Sequence, residues 1–445
     1  KMEEERKMKK FNVAAIIIMS MFLLNLLLFQ NIFIFQSQAA SQKITLTFMN
    51  WANPGERERF IKFNEYFMKK NPDIQIKYIT VSSDYDYKLL TMLAGNSAPD
   101  VFYVGDNAIR KTIQSGKLEP LNSYFGKGKV ILKKEDFDNI LFRIAEYKGK
   151  IYGIPVDCNP MVIHYNMSII SKLGLESPQK LYDAGKWTWD EFYKIAKKAR
   201  EKGYYGYVLD SGWWGPIMPW FASVYKDGRE PVLTDLKNKK SLLDKPEYIE
   251  VIKFLVKGIK DKAFTYAGSL PQGQTSDGMF LSGRLVFGAW GRWQVPNFKK
   301  AKFSWDIVPY PTKYGNKNAK TYIAQAVISM SSTSKYKEQA WRFIASFTNQ
   351  DGQKFRLEGQ GNAVPAIKGI DYLVTQDKVP AHAEYYVRGR ENGFPVDFYI
   401  QEAGANSTAL QELEKIFVLK ADPEQQMKKI AGYITQQYQK NLKGY

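Results

Sequence analysis

The sequence has almost none of the residues on which disulfide frameworks, histidine-metal sites and nucleophile–histidine catalysis depend. Its 445 residues include one cysteine, Cys158, and two histidines, His164 and His382. A single cysteine excludes an internal disulfide framework, even in an exported protein. Motifs of the G-x-S-x-G and H-E-x-x-H types are missing, and the GQG at 359–361 is too short for a phosphate-binding loop. We therefore predict no metal site and no cofactor.

A secreted glycan-active enzyme remains as an alternative, because two carboxylates are enough for glycoside hydrolysis. Asp106, Asp157 and Glu402 are available for such a role. Their availability does not by itself indicate catalysis, and we predict a protein that is not an enzyme.

The first forty residues have the pattern of an export signal. Lys7, Lys9 and Lys10 precede the apolar stretch 13–35, and small residues at 37 and 39 suit a cleavage site. We predict a signal peptide over 1–40, with an uncleaved membrane anchor as the alternative. The predicted location is the extracellular face of the cytoplasmic membrane or the cell envelope.

The net charge of the chain does not indicate a binding site, whereas its aromatic content does. The formal net charge is +19, but the lysines are scattered along helices such as 194–202 and 253–262, which is typical of solvated faces. No nucleic-acid partner is predicted. Aromatic residues make up 15% of the chain and ten of them are tryptophans, an excess that indicates an aromatic-lined site.

Strands and helices alternate in the first hundred residues. The pattern predicts strands over 43–48, 74–81 and 100–104, with helices over 56–70 and 87–94 between them. This alternation is typical of a parallel sheet with right-handed crossovers. A helical tail is predicted over 407–440.

A further buried strand is predicted over 285–287, after Gly283, which is expected to end a helix. Trp290 and Trp293 follow it, at the end of the strand where α/β proteins bind ligands. Flat apolar rings there predict stacking against the C–H faces of a sugar ring, and the alternative is that one or both rings pack into the core. Exposed aromatics are also costly without a partner in the Gly/Pro-bounded stretch 213–220.

Several short segments, each weak alone, occur in one order along the chain. They are FMKKNPDIQIKY at 67–78, YKLLTMLAGNSAPDVFYVGD at 87–106, GKLEPL at 116–121, KGKIYGIP at 148–155, HYN at 164–166 followed by TWDEF at 188–192, FLSGRLVFGAWGRW at 280–293, and ISMSSTSKYKEQAWRFIASFTNQDGQ at 328–353. In this order they resemble the extracellular solute-binding proteins of ABC importers. The resemblance is to the sugar-binding group, family 1, which includes the maltose-binding proteins.

The resemblance implies a two-lobe α/β fold of the periplasmic-binding-protein type II, with a ligand cleft between the lobes and a helical C-terminal tail. It assigns residues 41–156 and 315–364 to the first lobe and residues 157–314 and 365–445 to the second. It also implies a monomer that captures an oligosaccharide, closes by hinge bending and delivers the sugar to the permease subunits of an ABC importer.

Position along the chain and the resemblance together predict the ligand contacts. They are Trp51, Asn53, Glu56, Asp106, Asp157, Asn159, Trp213, Trp214, Trp220, Trp290, Arg292 and Trp293. Carboxylates and amides bind paired hydroxyl groups, and rings cover apolar sugar faces. Trp293 matches the stacking tryptophan of the family, whereas Arg292 stands where maltose-binding proteins usually have a small residue or proline. For Asp100 we predict a structural role instead.

Other ligands stay open as alternatives: a polyamine, a peptide or a sugar phosphate. A phosphate would need convergent arginines, and Arg57, Arg292, Arg388 and Arg390 are the candidates near the expected cleft. A polyamine would suit aromatics and carboxylates as well as a sugar does. The resemblance favours a neutral oligosaccharide, but it does not identify the sugar.

Overall fold

The computed structural model describes residues 43–51, 56–359, 361–376, 378–396 and 404–441, together with short helical pieces within 2–25. More than two thirds of the predicted signal peptide, 1–40, lies outside the described residues. The predicted contact Asn53 and the carboxylate Glu402 also lie outside them.

The strands, in chain order, belong to both halves of the molecule. They are β1 (Ile44–Asn50), β2 (Ile74–Thr80), β3 (Val101–Gly105), β4 (Glu146–Tyr147), β5 (Lys150–Ile151), β6 (Ile154–Pro160), β7 (Val162–Asn166), β8 (Tyr205–Leu209), β9 (Thr234–Asp235), β10 (Lys240–Ser241), β11 (Phe264–Tyr266), β12 (Leu285–Trp290), β13 (Trp305–Val308) and β14 (Ile323–Met330).

The α-helices follow in the same order. They are α1 (Arg57–Lys70), α2 (Tyr85–Ala94), α3 (Ile109–Gln114), α4 (Met167–Lys172), α5 (Pro178–Asp183), α6 (Trp189–Glu201), α7 (Met218–Ala222), α8 (Pro246–Lys260), α9 (Ser276–Leu281), α10 (Val295–Phe298), α11 (Lys337–Thr348), α12 (Gln350–Leu357), α13 (Tyr372–Thr375), α14 (Glu384–Glu391), α15 (Asn406–Phe417) and α16 (Pro423–Asn441). Short 3₁₀ turns lie at Asn122–Tyr124, Lys134–Asp136, Asn139–Ile144, Ala267–Ser269 and Arg292–Gln294.

Two five-stranded sheets organise the described chain. The first has the order β2-β1-β3-β14-β6 and the second the order β11-β8-β12-β7-β13. In the first sheet, β1 runs parallel to β2 and to β3, as the alternating pattern predicts. The sequence pattern predicts no direction for β14, which pairs antiparallel with both β3 and β6. This strand arrives from a distant part of the chain, so local periodicity carries no information about its direction.

The chain changes sheets at a single residue. β6 ends at Pro160 in the first sheet, and β7 begins at Val162 in the second, with Met161 between them. The chain returns between β13 and β14. The first sheet is therefore built from two separate chain segments, whereas the second sheet lies within the continuous segment 162–308.

Local sequence explains where several helices begin and end. The Thr188 hydroxyl accepts a hydrogen bond from the Glu191 N–H at 3.3 Å and so caps α6. The Glu191 carboxylate lies 3.3 Å from Lys194 Nζ, so the reciprocal half of a capping box is replaced by an ion pair. Gly283 follows α9 with a φ of +72°, which confirms the predicted helix end.

Asp100 has the structural role that the sequence predicts. Its carboxylate accepts hydrogen bonds from the backbone N–H and the hydroxyl of Thr47, at 2.8 and 2.6 Å, and from the Ser334 hydroxyl at 2.6 Å. These bonds tie the start of β3 to β1 and to the loop after β14. The register of the first sheet is thereby fixed at the amino-terminal end of β3.

Candidate functional site

One cleft of about 740 Å³ lies at the strand ends of both sheets. Trp51 follows β1, Asp106 follows β3, and Asp157 and Asn159 belong to β6. The opposite wall carries aromatic side chains from the loops after β8 and β12 of the second sheet. The carboxyl ends of parallel strands commonly hold ligands in α/β proteins, and this cleft lies there.

The structure brings together most of the residues predicted from the sequence. The lining includes Trp51, Glu56, Asp106, Asp157, Asn159, Trp213 and Trp293. Both sheets contribute, so any ligand held by all of these side chains would contact both halves of the molecule.

Three predicted tryptophans do not line the cleft. Trp214 is 2% exposed, and its Nε1–H donates to Asn406 Oδ1 at 2.6 Å. Trp220 is fully buried and donates to the Tyr207 hydroxyl at 3.3 Å. Trp290 packs among aromatic rings, with its centroid 5.0 Å from that of Phe298. We revise these three to core residues, because protein atoms cover the ring faces that a sugar would need.

Arg292 is also placed away from the cleft. Its guanidinium is 2% exposed and donates to the backbone carbonyls of Ala363 at 2.6 Å and Leu373 at 3.0 Å. The side chain thus binds the segment after α12 to the loop that carries Trp293. We revise its role from ligand contact to support of the cleft wall.

Aromatic contacts hold the cleft tryptophans in place. Trp51 meets Tyr85 and Tyr103 edge to face, with centroid distances of 5.4 and 5.2 Å. On the other wall, the Trp213 and Trp293 rings lie 6.1 Å apart at an interplanar angle of 55°. All three tryptophans are half-buried. Each keeps part of its ring available to a ligand while its supporting contacts restrict rotation.

Glycines make room for these rings. A Cβ added at Gly291 would overlap the Trp293 ring and lie 2.8 Å from Asn159 Cβ. A Cβ at Gly215 would overlap the Trp213 ring in the same way. The two tryptophans therefore lie flat against backbone that only glycine leaves open.

Asp106 is a buried carboxyl held by two neighbours at the start of β14. It accepts hydrogen bonds from the Tyr322 hydroxyl at 2.7 Å and from the Gln325 N–H at 3.3 Å. Burial raises the pKa of Asp106 to about 6, and these hydrogen bonds oppose that rise. The Tyr322 ring also contacts Trp213, at 6.0 Å between centroids. Tyr322 thus joins a carboxyl of the first sheet to an aromatic wall of the second.

Two further carboxylates of the cleft, those of Asp157 and Glu56, are held in place by neighbouring side chains. Arg356 lies 3.4 Å from the Asp157 carboxylate and donates to the Val156 carbonyl at 2.8 Å. Burial raises the pKa of Asp157, and Arg356 opposes this. The Glu56 carboxylate accepts from the Asn362 side-chain amide at 2.9 Å. Such contacts orient the carboxylates while other oxygen lone pairs remain able to accept ligand hydroxyls.

Sequence analysis missed Gln325, the most informative amide of the cleft. It lines the cleft from β14, is 7% exposed, and neither polar atom of its side chain has a hydrogen-bond partner within the described chain. Buried amides are nearly always hydrogen-bonded in folded proteins, so an unpartnered one beside a cleft points to a ligand. A single glutamine within the otherwise apolar IAQAVISM was the available signal.

The described lining is acidic. It carries Glu56, Asp84, Asp86, Asp106 and Asp157, and no lysine, arginine or histidine is among its described residues. Within the described part of the chain, no group of three or more His, Cys, Asp or Glu side chains could hold a metal ion. No helix among the described residues is long and apolar enough to cross a membrane.

Comparison with solved structures shows how widely this fold is shared. An ABC substrate-binding protein from Listeria monocytogenes in complex with cycloalternan has a TM-score of 0.77 at 23% identity, covering 89% of this chain and 99% of that one. UgpB from Mycobacterium tuberculosis in complex with glycerophosphocholine has a TM-score of 0.76 at 19% identity, covering 89% and 98%. At these identities the likeness establishes the two-lobe fold alone.

Two relatives by sequence are named as sugar-binding proteins. The chain is 27% identical over 318 residues to the maltotriose-binding protein of Pyrococcus abyssi, covering 70% of this chain. The match spans 64% of that relative, less than two thirds of its length. The multiple sugar-binding protein of Streptococcus mutans is 23% identical over 350 residues, covering 75% and 78%.

A family model decides the assignment. The model described as bacterial extracellular solute-binding protein matches residues 52–354, which is more than half of the chain and contains every cleft residue named above except Trp51 and Asn362. The predicted absence of enzymatic function is confirmed at the level of this family, whose members bind solutes. The chain therefore belongs to the bacterial extracellular solute-binding proteins.

Proposed function

We propose that this protein binds a neutral oligosaccharide in the cleft. The observation that carries the proposal is the convergence of Trp51, Trp213 and Trp293 from both sheets around buried carboxylates and the unpartnered amide of Gln325. Sugar rings present apolar C–H faces to aromatic rings and hydroxyl groups to carboxylates and amides. One sugar ring offers at most two such faces, so three tryptophans favour an oligosaccharide over a monosaccharide.

The named ligands of similar proteins support this choice. Maltotriose and multiple sugars appear in the names of two relatives, and cycloalternan is bound by the Listeria protein of similar fold. The ligand contacts that we propose are Trp51, Glu56, Asp106, Asp157, Asn159, Trp213, Trp293 and Gln325, with Asn53 retained from the sequence.

Charge discriminates between the alternative ligands. A sugar phosphate needs cationic partners, and the described lining has none. A polyamine is the second candidate, because five carboxylates and several rings would suit a flexible cation. A peptide has no specific support in the cleft.

Titration calorimetry of the purified protein tests the proposal directly. The probes are glucose, maltose and maltotriose, with spermidine and glucose 6-phosphate as charged comparators. We expect a neutral oligosaccharide to bind more tightly than glucose, with a change in tryptophan fluorescence. Tight binding of spermidine with no heat from any neutral sugar would favour the second candidate. Hydrolysis of a bound oligosaccharide by the pure protein would instead revive an enzyme.

We further propose that ligand closes the cleft and that the closed form delivers the sugar to the permease subunits of an ABC importer. In this proposal the protein is a monomer, with the lobes predicted over 41–156 plus 315–364 and 157–314 plus 365–445, except that 157–160 pair with β14 and so belong to the first lobe. Asp106 and Trp51 belong to the first, Trp213 and Trp293 to the second. A ligand that contacts both lobes shifts the balance towards closure by its differential affinity.

Small-angle scattering checks closure. The radius of gyration should fall when ligand saturates the protein, and the molecular mass from the same data should remain that of one chain. Identical profiles in a sample shown to bind its ligand would remove hinge closure from the proposal.

A further inference from the structure

An exposed tyrosine stands at the mouth of the cleft. Tyr87, in the first turn of α2, lines the cleft with 75% of its surface exposed. Asp84 and Asp86, which precede it in sequence, line the cleft as well. Single exposed tyrosines are common on protein surfaces, so exposure alone indicates nothing. What distinguishes Tyr87 is its place in the same helical turn as Tyr85, which contacts the tryptophan of the first lobe.

The first turn of α2 is anchored to two strand ends. The buried Tyr85 hydroxyl lies 2.8 Å from the Tyr103 carbonyl oxygen and 3.2 Å from that of Met49, and it donates towards both. The Tyr85 ring also supports Trp51 at 5.4 Å. Residues two apart on a helix lie on nearly opposite sides, so anchoring Tyr85 inwards turns Tyr87 outwards. The backbone that carries Tyr87 is thus held at a set position relative to Trp51.

A carboxylate next to Tyr87 lacks a protein partner. Asp86 is half-buried, and its side chain has neither a hydrogen bond nor an ion pair within the described part of the chain. Burial raises the pKa of Asp86, which is the direction expected for a carboxyl that loses water without gaining a donor. Sugar hydroxyls would supply such donors.

We propose that Tyr87 and Asp86 form an outer subsite that takes one additional sugar ring of a long oligosaccharide. Trp51, Trp213 and Trp293 hold the inner rings, Tyr87 stacks on the next ring out, and Asp86 accepts a hydrogen bond from one of its hydroxyl groups. The outer subsite then sets the preferred chain length of the ligand. The inference rests on the proposed function and extends it to ligand length.

The test is an affinity series against ligand length. Dissociation constants for maltose, maltotriose, maltotetraose and maltopentaose are measured for the full chain and for Tyr87→Ala. We expect wild-type affinity to rise with length, and Tyr87→Ala to weaken the longest bound ligand about tenfold while leaving maltose within about twofold. Tyr87→Phe should retain the length preference, because stacking needs the ring and not the hydroxyl. Asp86→Asn should reduce the same preference by a smaller factor.

A matched control is available in the same lobe. Tyr336, 38% exposed, precedes α11 and does not line the cleft, so Tyr336→Ala should leave every constant unchanged. Equal losses for all lengths in Tyr87→Ala, or no loss at any length, would overturn the outer subsite while the proposed function stands. Absence of binding by the wild type to any oligosaccharide tested would overturn both.

Discussion

Trp213 and Trp214 are neighbours in sequence, but Trp213 lines the cleft and Trp214 is buried in the core. Trp214 is 2% exposed, and its indole N–H is satisfied by Asn406 from the C-terminal helices. Trp213 stays half-buried in the cleft, beside Trp293 and Tyr322. The difference shows that a tryptophan becomes available to ligand when the protein supports its ring without covering it. Residue type and loop position are the same for both.

Trp290 and Trp293 repeat the comparison within one motif. Each follows a glycine by two residues, and a Cβ at either Gly288 or Gly291 would overlap the ring that follows. The Trp290 ring is enclosed by other aromatic rings, including Phe280 at 5.4 Å. Trp293 has aromatic support on the Trp213 side and the cleft on the other. The same glycine–tryptophan geometry thus places Trp290 in the core and Trp293 at the cleft.

Several variants test the contrast between core and cleft tryptophans. The largest effect is expected for a variant of Trp220. Its ring packs against Phe192 at 5.4 Å and Tyr310 at 5.4 Å, so Trp220→Ala leaves a cavity. We expect a loss of about 3–5 kcal/mol in the free energy of unfolding. Urea denaturation measures it, with Trp220→Phe as a milder control. A variant of undiminished stability with weakened sugar binding would return Trp220 to the cleft.

Trp293→Ala should show the opposite pattern. Loss of a stacking ring should weaken ligand binding by ~1–3 kcal/mol, roughly ten- to a hundredfold in Kd, because few other groups can replace it. Stability of the unliganded protein should change little, since the ring is half-buried. Calorimetric binding and thermal melting are measured on the same sample. A large drop in Tm with unchanged affinity would place Trp293 with the core residues instead.

A pair of glycine variants tests the comparison with one added methyl group each. Neither glycine has a left-handed φ, so alanine acts through space rather than backbone strain. Gly288→Ala should displace Trp290 and lower the free energy of unfolding by about 1–2 kcal/mol. Gly291→Ala should displace Trp293 and appear mainly as weaker binding, by roughly 1 kcal/mol or about fivefold. If both variants lose stability alike, the two rings are equivalent and the contrast fails.

The last prediction concerns the pH dependence that the carboxyl of Asp106 gives to stability. Its pKa is raised from 3.8 to about 6 in the folded protein, so between about pH 4 and 6 the folded state binds more protons than the unfolded state. Stability from this group is therefore full below pH 4 and is lost as pH rises through 6. The slope cannot exceed about 1.4 kcal/mol per pH unit.

The pKa values of Asp157 and Asp86 are raised as well. Nearby lysines lower the pKa values of Glu412 and Glu424 to about 2, so these two groups change stability with pH in the opposite sense. The measurement is accordingly the difference in unfolding free energy between wild type and Asp106→Asn, at pH 4.5 and pH 7. Asparagine keeps an oxygen for the Tyr322 hydroxyl. A difference that does not vary with pH would show that Asp106 titrates normally.

Much of the fold was predictable because its information is local. Alternation in β1 and β2, the helical spacing of α1 and the glycine after α9 each depend on neighbours within a few residues. The insertion of β14 between β3 and β6 was not predictable, since strand pairing over such distances has no periodic signature.

The residues of the candidate site also divide into those that local sequence predicts and those that depend on distant parts of the chain. Trp51, Asp106 and Trp293 follow strands directly, and position after a strand is visible in sequence. Burial of Trp214 and Trp220 depends on partners such as Asn406 and Tyr310, which lie far away along the chain. The sequence pattern places Tyr87 only at the start of a helix, because its exposure at the cleft mouth exists only once the lobe has assembled.

The interior position of β14 has a consequence for synthesis. The first sheet lacks a strand between β3 and β6 until residue 330 has left the ribosome, although β1, β2 and β3 are complete by residue 105. Until then the backbone groups of β3 and β6 that later pair with β14 form unpaired sheet edges, which invite pairing with other chains. A chain truncated between β6 and β14 therefore keeps two open edges, because the strand that pairs with both arrives when nearly three quarters of the chain already exists.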